Sequence, residues 1–236
     1  MKRCDLMSEN VEVPSGIKQL FIEKKSVRTL KKGRFLFQEG KAAHELYLIK
    51  SGRVQISKVI PDGRELSLRI CSTDDVIGEL TLFSKEAYYM LSAKILEDTT
   101  VYVLPKERFE ETLSQNGDLT IQWLKWIQIQ NQQNQTKFRD LILHGKKGAL
   151  YSTLIRMTNT YGKAVNAGIL IDLPLTNQKL ANFCGSSREV VNRLLGDLKK
   201  DDVLMSEKGY ITILDLDYLK NEIDCENCPV SICRID

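Results

Sequence analysis

The sequence has little of what most enzymes require. It contains two histidines among its 236 residues, no glycine-rich phosphate loop, and no pairing of a nucleophile with a base. No apolar run approaches the roughly 20 residues that a membrane-spanning helix needs, and the N-terminus lacks the apolar run of a signal peptide. We therefore expect a cytoplasmic protein that is not an enzyme and does not associate with membranes.

Charge is small in total but unevenly distributed. The net charge is +3. Residues 125–172 carry seven Lys/Arg against two acids, whereas residues 214–236 carry two Lys/Arg against six acids. A basic middle region suits contacts with nucleic-acid phosphates, although a solvated helix face has the same composition. The hydrophobic fraction of 42% is enough for two domains with buried cores.

Short strands and turns are predicted from Arg28 to Leu104. Pro61-Asp62-Gly63 is typical of a hairpin turn, because proline fixes φ and glycine allows a positive φ. Short apolar runs recur between regularly spaced glycines, a pattern that predicts a β-barrel or β-roll. We expect residues 1–117 to form an N-terminal arm followed by this sensor-like domain.

A long helix is predicted for residues 118–144, after the switch to helical periodicity. Its apolar and amide side chains alternate in steps of three and four, as in a heptad-like dimer seam. The seam consists of Leu124, Ile127, Asn131, Asn134, Phe138 and Leu141. Asparagine at inner positions favours one register and one partner number. The alternative is an amphipathic helix that packs on its own domain. Gly145 and Gly148 are expected to form a hinge at its end.

Residues 176–203 carry the pattern of a helix-turn-helix. Thr176 can cap the first helix, and Gly185 suits the tight turn. Ser186 followed by Glu189 fits a Ser-x-x-Glu capping box at the start of the second helix. A β-wing is expected to follow, so that residues 145–215 form a winged helix-turn-helix domain.

The outer face of the second predicted helix carries side chains suited to base edges. These candidates are Ser187, Arg188, Glu189, Asn192 and Arg193. Arginine can donate to two acceptors of guanine, and glutamate can accept from cytosine. Arg188 and Arg193 are therefore candidate base readers. The alternative for each is a phosphate contact, which positions the protein without reading sequence.

Three of the six cysteines lie in the last thirteen residues, with the spacing Cys-x2-Cys-x4-Cys. They are Cys225, Cys228 and Cys233. Thiolates this close repel one another unless a metal cluster, another cation or a disulfide relieves them. The tail, residues 216–236, is therefore predicted to sense iron, zinc or redox state. Cys4, Cys71 and Cys184 are expected to have no part in it.

The predicted β-roll, dimer helix and winged helix-turn-helix together resemble the Crp/Fnr family of transcription regulators over about residues 20–215. Gly78-Glu79-Leu80 resembles the family's Gly-Glu-Leu signature, and Ser187-Arg188-Glu189 with Arg193 matches a Crp-type recognition helix. The resemblance implies an α+β fold with a cyclic-nucleotide-binding-like β-roll. It also implies a homodimer that binds double-stranded DNA and RNA polymerase, with a palindrome of TGTGA-like half-sites as the target.

The cysteine tail, the run Arg139-Asp140-Leu141 and residues 144–150 resemble the Fnr oxygen sensors of Bacillus. That resemblance implies regulation of anaerobic respiration and fermentation genes, with activation or repression left open for each gene, and a [4Fe-4S] cluster. The implied ligands are Cys225, Cys228, Cys233 and Asp140. Considered without the resemblance, a tail acid, His144 or a distant cysteine is also open as the fourth ligand, and zinc or a thiol–disulfide switch is open in place of the cluster.

One departure from the family pattern concerns cyclic AMP. Members that bind it have an Arg-Ser pair about ten residues after Gly-Glu-Leu, where this chain reads Tyr88-Tyr89-Met90-Leu91-Ser92. A buried phosphate without a cationic partner is costly. We therefore expect no binding of cyclic AMP, and Glu79 is expected to be a structural residue or a vestigial residue of the ligand pocket. The alternative is control by another small ligand in the β-roll.

Overall fold

A computed structural model describes residues 12–236, so residues 1–11 of the expected N-terminal arm, including Cys4, lie outside the described part. The chain divides into two compact units, one formed mainly by residues 12–127 and the other by residues 128–235. In residues 12–236, no helix is both long enough and apolar enough to cross a membrane.

The first unit is built on a six-stranded antiparallel sheet. Its path is β1-β6-β3-β4, with β2 paired to β6 and β5 paired to β3. The strands are β1 (Val27–Leu30), β2 (Phe35–Phe37), β3 (Glu45–Val59), β4 (Glu65–Cys71), β5 (Val76–Ile77) and β6 (Ser92–Pro105). The register between β3 and β6 shifts at several points, and such bulges bend paired strands. The predicted β-roll is confirmed.

Helices close this unit around an aromatic cluster. They are α1 (Ser15–Glu23), a short 3-10 helix (Glu79–Thr81), α2 (Lys106–Gln115) and the start of α3 (Gly117–Tyr161). Phe109 of α2 lies 6.1 Å from Phe21 of α1 and 5.0 Å from Trp123 of α3, measured between ring centroids. Trp126 stacks on Trp123 at 4.8 Å. These buried rings anchor the beginning of the long helix.

Helix α3 contains one sharp break. Gly145 has φ 59° and ψ −153°, outside the helical region, and divides the helix into a first arm (residues 117–144) and a second arm (residues 146–161). A side chain at position 148 is also excluded, because a Cβ on Gly148 would lie 2.0 Å from the Cβ of His144. The positive φ at position 145 therefore favours glycine, and position 148 has no room for a Cβ.

The second unit contains the winged helix-turn-helix and the tail. Its antiparallel sheet has the order β7-β8-β10-β9. The strands are β7 (Gly162–Val165), β8 (Gly168–Ile171), β9 (Leu204–Glu207) and β10 (Tyr210–Ile213), and the helices are α4 (Asn177–Phe183), α5 (Arg188–Lys200) and α6 (Leu216–Asn221). Lys208 and Gly209 both have positive φ, as a tight wing hairpin requires. The architecture confirms the α+β class.

Candidate functional site

Helices α4 and α5 form the predicted helix-turn-helix. Gly185, with φ 55°, makes the turn between them. Leu180 and Ala181 of α4 and Val191 of α5 are buried, so the two helices share one apolar contact surface. Thr176 caps α4, because its side chain accepts a hydrogen bond from the backbone N–H of Lys179 at 3.2 Å. The turn and the first cap lie where the sequence pattern predicts them.

The predicted capping box at the start of α5 is wrong by one residue. Ser187 caps the helix by accepting from the backbone N–H of Val190 at 3.4 Å, and Ser186 precedes the cap. Val190 therefore occupies the third helical position, and Glu189 cannot close a capping box with Ser186. Hydrogen bonds from its own backbone N–H and from the Ser187 side chain lower the pKa of Glu189. The side chain is exposed at the end of the helix where base contacts are made.

All five candidate DNA-reading residues are exposed. They are Ser187, Arg188, Glu189, Asn192 and Arg193, at the cap and along the outer face of α5. Asn192 also accepts a hydrogen bond from Asn177, the first residue of α4. The contact links the outer faces of the two helices. The structure thus gives these residues the exposure that contact with DNA requires, and base reading itself stays a prediction.

Replacing Arg188 by alanine is expected to weaken binding to the preferred half-site by about 1–3 kcal/mol and to relax the preference at one base pair. Competition binding against every base at each half-site position measures this. Lys200→Ala, in the last turn of the same helix, should leave the base preferences unchanged. Equal weakening on all sequences by Arg188→Ala would show a phosphate contact instead.

Five of the six predicted seam residues are exposed in the single chain, and Ile127 is intermediate. Leu124 is 59% exposed and Phe138 is 64% exposed, unusual values for large apolar side chains on a helix. Ile142 and Leu143 extend the apolar surface towards the kink. The exposure of these side chains is what the predicted seam requires, and the dimer contact itself stays a prediction.

The tail docks on α3 from both sides of the kink. Gln133 of the first arm donates to the Ser231 carbonyl at 2.9 Å. Asn159 of the second arm donates to the Cys233 carbonyl at 2.7 Å. The Thr160 hydroxyl accepts from the Ile235 backbone N–H at 3.1 Å, and Arg139 forms an ion pair with Glu226. The segment that holds the three thiols therefore spans the break at Gly145.

Asp140 lies at the centre of this docking surface and is buried. Its Oδ1 accepts from Arg139 Nε and Nη2 at 3.0 and 2.8 Å, and its Oδ2 accepts from Ser152 Oγ at 2.6 Å and Arg156 Nη2 at 2.9 Å. Burial alone would raise the pKa of this carboxyl group, but the hydrogen bonds outweigh burial and lower it. Asp140 thus ties the first arm to the second across the kink.

The three tail thiols and Asp140 line one small cavity. Its wall consists of Arg139, Asp140, Ser152, Ile155, Arg156, Ile223, Cys225, Cys228 and Cys233. All three cysteines are half-buried. Burial raises the pKa of the Cys233 thiol, and the nearby Arg156 guanidinium opposes that effect. The other candidates for a fourth ligand, a tail acid, His144 and a distant cysteine, are not among the lining residues.

The chemistry of this donor set fits an iron–sulfur cluster. Three cysteine thiols match the ligation of such clusters, and the Asp140 carboxylate would be the fourth ligand. Within residues 12–236, no three His, Cys, Asp or Glu side chains converge as the ligands of one metal ion would. The Arg139 guanidinium hydrogen-bonds both Asp140 and Cys228.

The other two described cysteines are packing residues. Cys71 of β4 belongs to the apolar core of the β-roll, and Cys184 lies in the helix-turn-helix core. Burial raises the pKa of Cys184 to about 12 and also raises that of Cys71. Thiols in this state are poor nucleophiles and poor ligands, as their apolar sequence neighbours suggested.

Comparison with known proteins decides the family. Residues 27–116 match the cyclic nucleotide-binding domain family, and residues 148–222 match the Crp-like helix-turn-helix domain family. The anaerobic regulatory protein of Bacillus subtilis (strain 168) is 51% identical over 230 residues, which cover 97% of each chain. This chain belongs to the Crp/Fnr family of transcription regulators. The resemblance inferred from its motifs is confirmed.

Two further similar proteins share less of their sequence with this chain. The lactate racemization regulatory protein of Lactiplantibacillus plantarum is 31% identical, over 86% of this chain and 94% of its own. A solved structure of a CooA mutant from Carboxydothermus hydrogenoformans superposes with a TM-score of 0.73 at 21% identity, over 88% of this chain and 89% of that one. That structure shows the shared fold alone. As a Crp/Fnr protein, this chain is a DNA-binding transcription regulator, and regulators of the family are typically dimeric.

In the Gly-Glu-Leu signature of this Crp/Fnr chain, Glu79 forms an ion pair that the sequence did not reveal. Glu79 accepts a hydrogen bond from Arg69 Nη2 at 2.7 Å, and both side chains are largely buried. Arg69 also donates to the Val76 carbonyl at 3.2 Å. The pair links β4 to the 3-10 helix, which agrees with the structural role expected for Glu79.

Cyclic AMP is expected neither to bind tightly to this Crp/Fnr protein nor to raise its affinity for DNA. The guanidinium of Arg69, beside the Gly-Glu-Leu signature, is already neutralised by Glu79. Residues 88–92 offer no arginine that could pair with the phosphate of cyclic AMP. Titration calorimetry with cyclic AMP measures binding directly. Tight, saturable binding would contradict the prediction.

Proposed function

We propose that this regulator senses oxygen through a [4Fe-4S] cluster held by Cys225, Cys228, Cys233 and Asp140. In the proposal, the cluster state controls binding to a palindrome of TGTGA-like half-sites at genes of anaerobic respiration and fermentation. The observation that carries the proposal is the cavity lined by all four side chains. When bound, the cluster supplies an oxygen-labile centre whose properties depend on charge and hydrogen bonding around it.

Contacts of the tail suggest how such a centre acts on DNA binding. Residues before and after Gly145 both donate hydrogen bonds to the tail. A docked tail therefore favours one backbone geometry at the Gly145 kink, and a released tail permits other geometries. The second arm leads through β7 and β8 to the reading helix α5. A local chemical event at the thiols would then bias a two-state hinge.

The reading helix supports the proposed target. Arg188, Glu189 and Arg193 are exposed on α5, with side-chain types that suit guanine and cytosine in the major groove. The Bacillus subtilis relative is named an anaerobic regulatory protein. We propose activation, through contact with RNA polymerase, as the output.

The proposal predicts that protein purified without oxygen carries iron and acid-labile sulfide in equal amounts. Quantitative iron, zinc and sulfide analysis tests this on the wild-type chain. Zinc without sulfide would replace the cluster by a zinc site. Metal-free protein that forms a disulfide among the tail cysteines in air would indicate a thiol–disulfide switch.

We also propose that the exposed seam on the first arm of α3 holds a homodimer with or without the cluster. Burial of Phe138 and Leu124 against a second copy would remove their apolar surface from water. Sedimentation of metal-free protein is expected to show a dimer. Phe138→Glu should shift it towards monomer. A metal-free wild-type monomer would mean that the cluster drives association.

A further inference from the structure

We propose that the two arginines at Asp140 have opposite roles. Arg156 is a positioning residue that keeps its hold on Oδ2. Arg139 is an exchangeable partner that occupies Oδ1 and must withdraw before Asp140 can become a ligand. The inference rests on the proposed function, since it concerns how Asp140 reaches the cluster.

Arg156 is fixed on every side. Its side chain is 3% exposed. The guanidinium donates to Asp140 Oδ2 at 2.9 Å, to Ser152 Oγ at 3.1 Å and to the Ile232 carbonyl at 3.2 Å. Ser152 lies one helical turn before Arg156 and itself donates to Oδ2. One buried cation thus orients the carboxylate and holds the tail at the same time.

Arg139 can give up its hydrogen bonds to Asp140 and keep another anionic partner. Its side chain is 30% exposed, ten times more than that of Arg156. It already has a second anionic partner in the exposed Glu226, and it also hydrogen-bonds Cys228. When Oδ1 is released, the guanidinium can remain paired with Glu226 near solvent, where an ion pair is made and broken at little cost.

The difference in burial decides which arginine moves. Separation of Arg156 from Asp140 would leave a buried guanidinium without its anion, which is strongly unfavourable. The cavity among the thiols has a volume of about 20 Å³, enough for roughly one water molecule. A four-iron cluster is larger, so side chains at the cavity must move to admit it. Arg139 is the more exposed of the two arginines in the cavity wall, and its guanidinium can move towards Glu226 at the surface.

Anaerobic reconstitution with ferrous iron and sulfide separates the two roles. Arg139→Gln is expected to load the cluster several-fold faster than wild type. Arg156→Gln is expected to weaken cluster retention about 10–100-fold, as loss of an outer partner of a ligand does. Lys147→Gln removes an exposed ion pair to Glu222 in the same region and should behave as wild type. Equal effects of the two arginine variants, in either direction, would overturn the proposal.

Electron paramagnetic resonance of the reduced cluster distinguishes positioning from simple loss of fold. If Arg156 orients Asp140, the cluster that still forms in Arg156→Gln should show a changed spectrum, because the carboxylate no longer binds in the same way. Reduced cluster content with an unchanged spectrum would leave Arg156 a structural role and reject the proposal.

A measurement on metal-free protein keeps this inference separable from the proposed function. Arg156→Gln should increase the rate at which a thiol reagent labels the tail cysteines, because the tail loses its buried anchor, and Arg139→Gln should change that rate less. If the wild type takes up no iron or sulfide, the proposed function fails while the labelling rates still test the anchor. Equal labelling of wild type and Arg156→Gln would contradict it.

Discussion

Replacement of Cys228 by serine is expected to abolish the cluster and, with it, oxygen-dependent DNA binding. Cys228 lines the cavity with the other two tail thiols and contacts Arg139. Its loss leaves two thiolates, and a neutral hydroxyl is a poor ligand for iron–sulfur clusters. We expect iron and sulfide to fall to background. Affinity for the palindrome should fall towards the non-specific level, a loss on the order of 10³-fold or more.

The matched control for this prediction is Ser231→Ala, in the same tail. Its backbone carbonyl accepts the hydrogen bond from Gln133, and this bond does not depend on the side chain. That variant should keep the cluster and the response to oxygen. Iron and sulfide content and anaerobic gel-shift titration measure both variants. An intact cluster in Cys228→Ser would remove this thiol from the site.

Replacement of Asp140 by alanine is expected to destabilise the protein by about 3–5 kcal/mol even without metal, because it leaves the buried Arg156 without its anion. Denaturant unfolding of the metal-free protein measures the change in free energy. Loss of DNA binding in Asp140→Ala therefore has two causes, the broken ion pair with Arg156 and the loss of the proposed ligand.

A second substitution separates these causes. Asp140→Ala combined with Arg156→Leu replaces the buried pair by apolar side chains, and such replacements are often close to neutral. The double variant should therefore recover most of the lost stability and still fail to assemble a normal cluster. Glu226→Ala, at the exposed partner of Arg139, should change the stability little. Equal stability of wild type and Asp140→Ala would show that the ion pair across the kink contributes nothing.

Much of the fold could be predicted because its turns and helix caps are occupied by residue types that strongly favour those positions. Gly185 at a positive φ and Thr176 at a cap identify the helix-turn-helix from local chemistry alone. The start of α5 was misplaced by one residue because Ser186 and Ser187 can both cap a helix. Only the packing of α4 against α5 selects the second serine.

The candidate site could be predicted only in part. Cys225, Cys228 and Cys233 were predicted from their spacing, and Asp140 from the family resemblance. Its partners could not be found in this way. Ser152 and Arg156 reach Asp140 across the kink at Gly145, and no periodicity of a straight helix places them there.

The pairing of Glu79 with Arg69 was missed for a related reason. The two residues are ten apart in sequence and lie on different elements, β4 and the 3-10 helix after β5. Their contact depends on how the β-roll closes, which is a property of the sheet rather than of either segment. Charged residues in apolar strands are signals of such pairs, because a buried charge requires a partner.

The most direct test of the proposed function is the DNA affinity of one anaerobic preparation before and after exposure to air. Binding to a TGTGA-like palindrome and to a scrambled sequence should be measured at one salt concentration, together with bound iron. We expect tight, sequence-specific binding without oxygen, and loss of both specificity and iron in air. Equal affinity for the palindrome before and after the loss of iron would contradict the account.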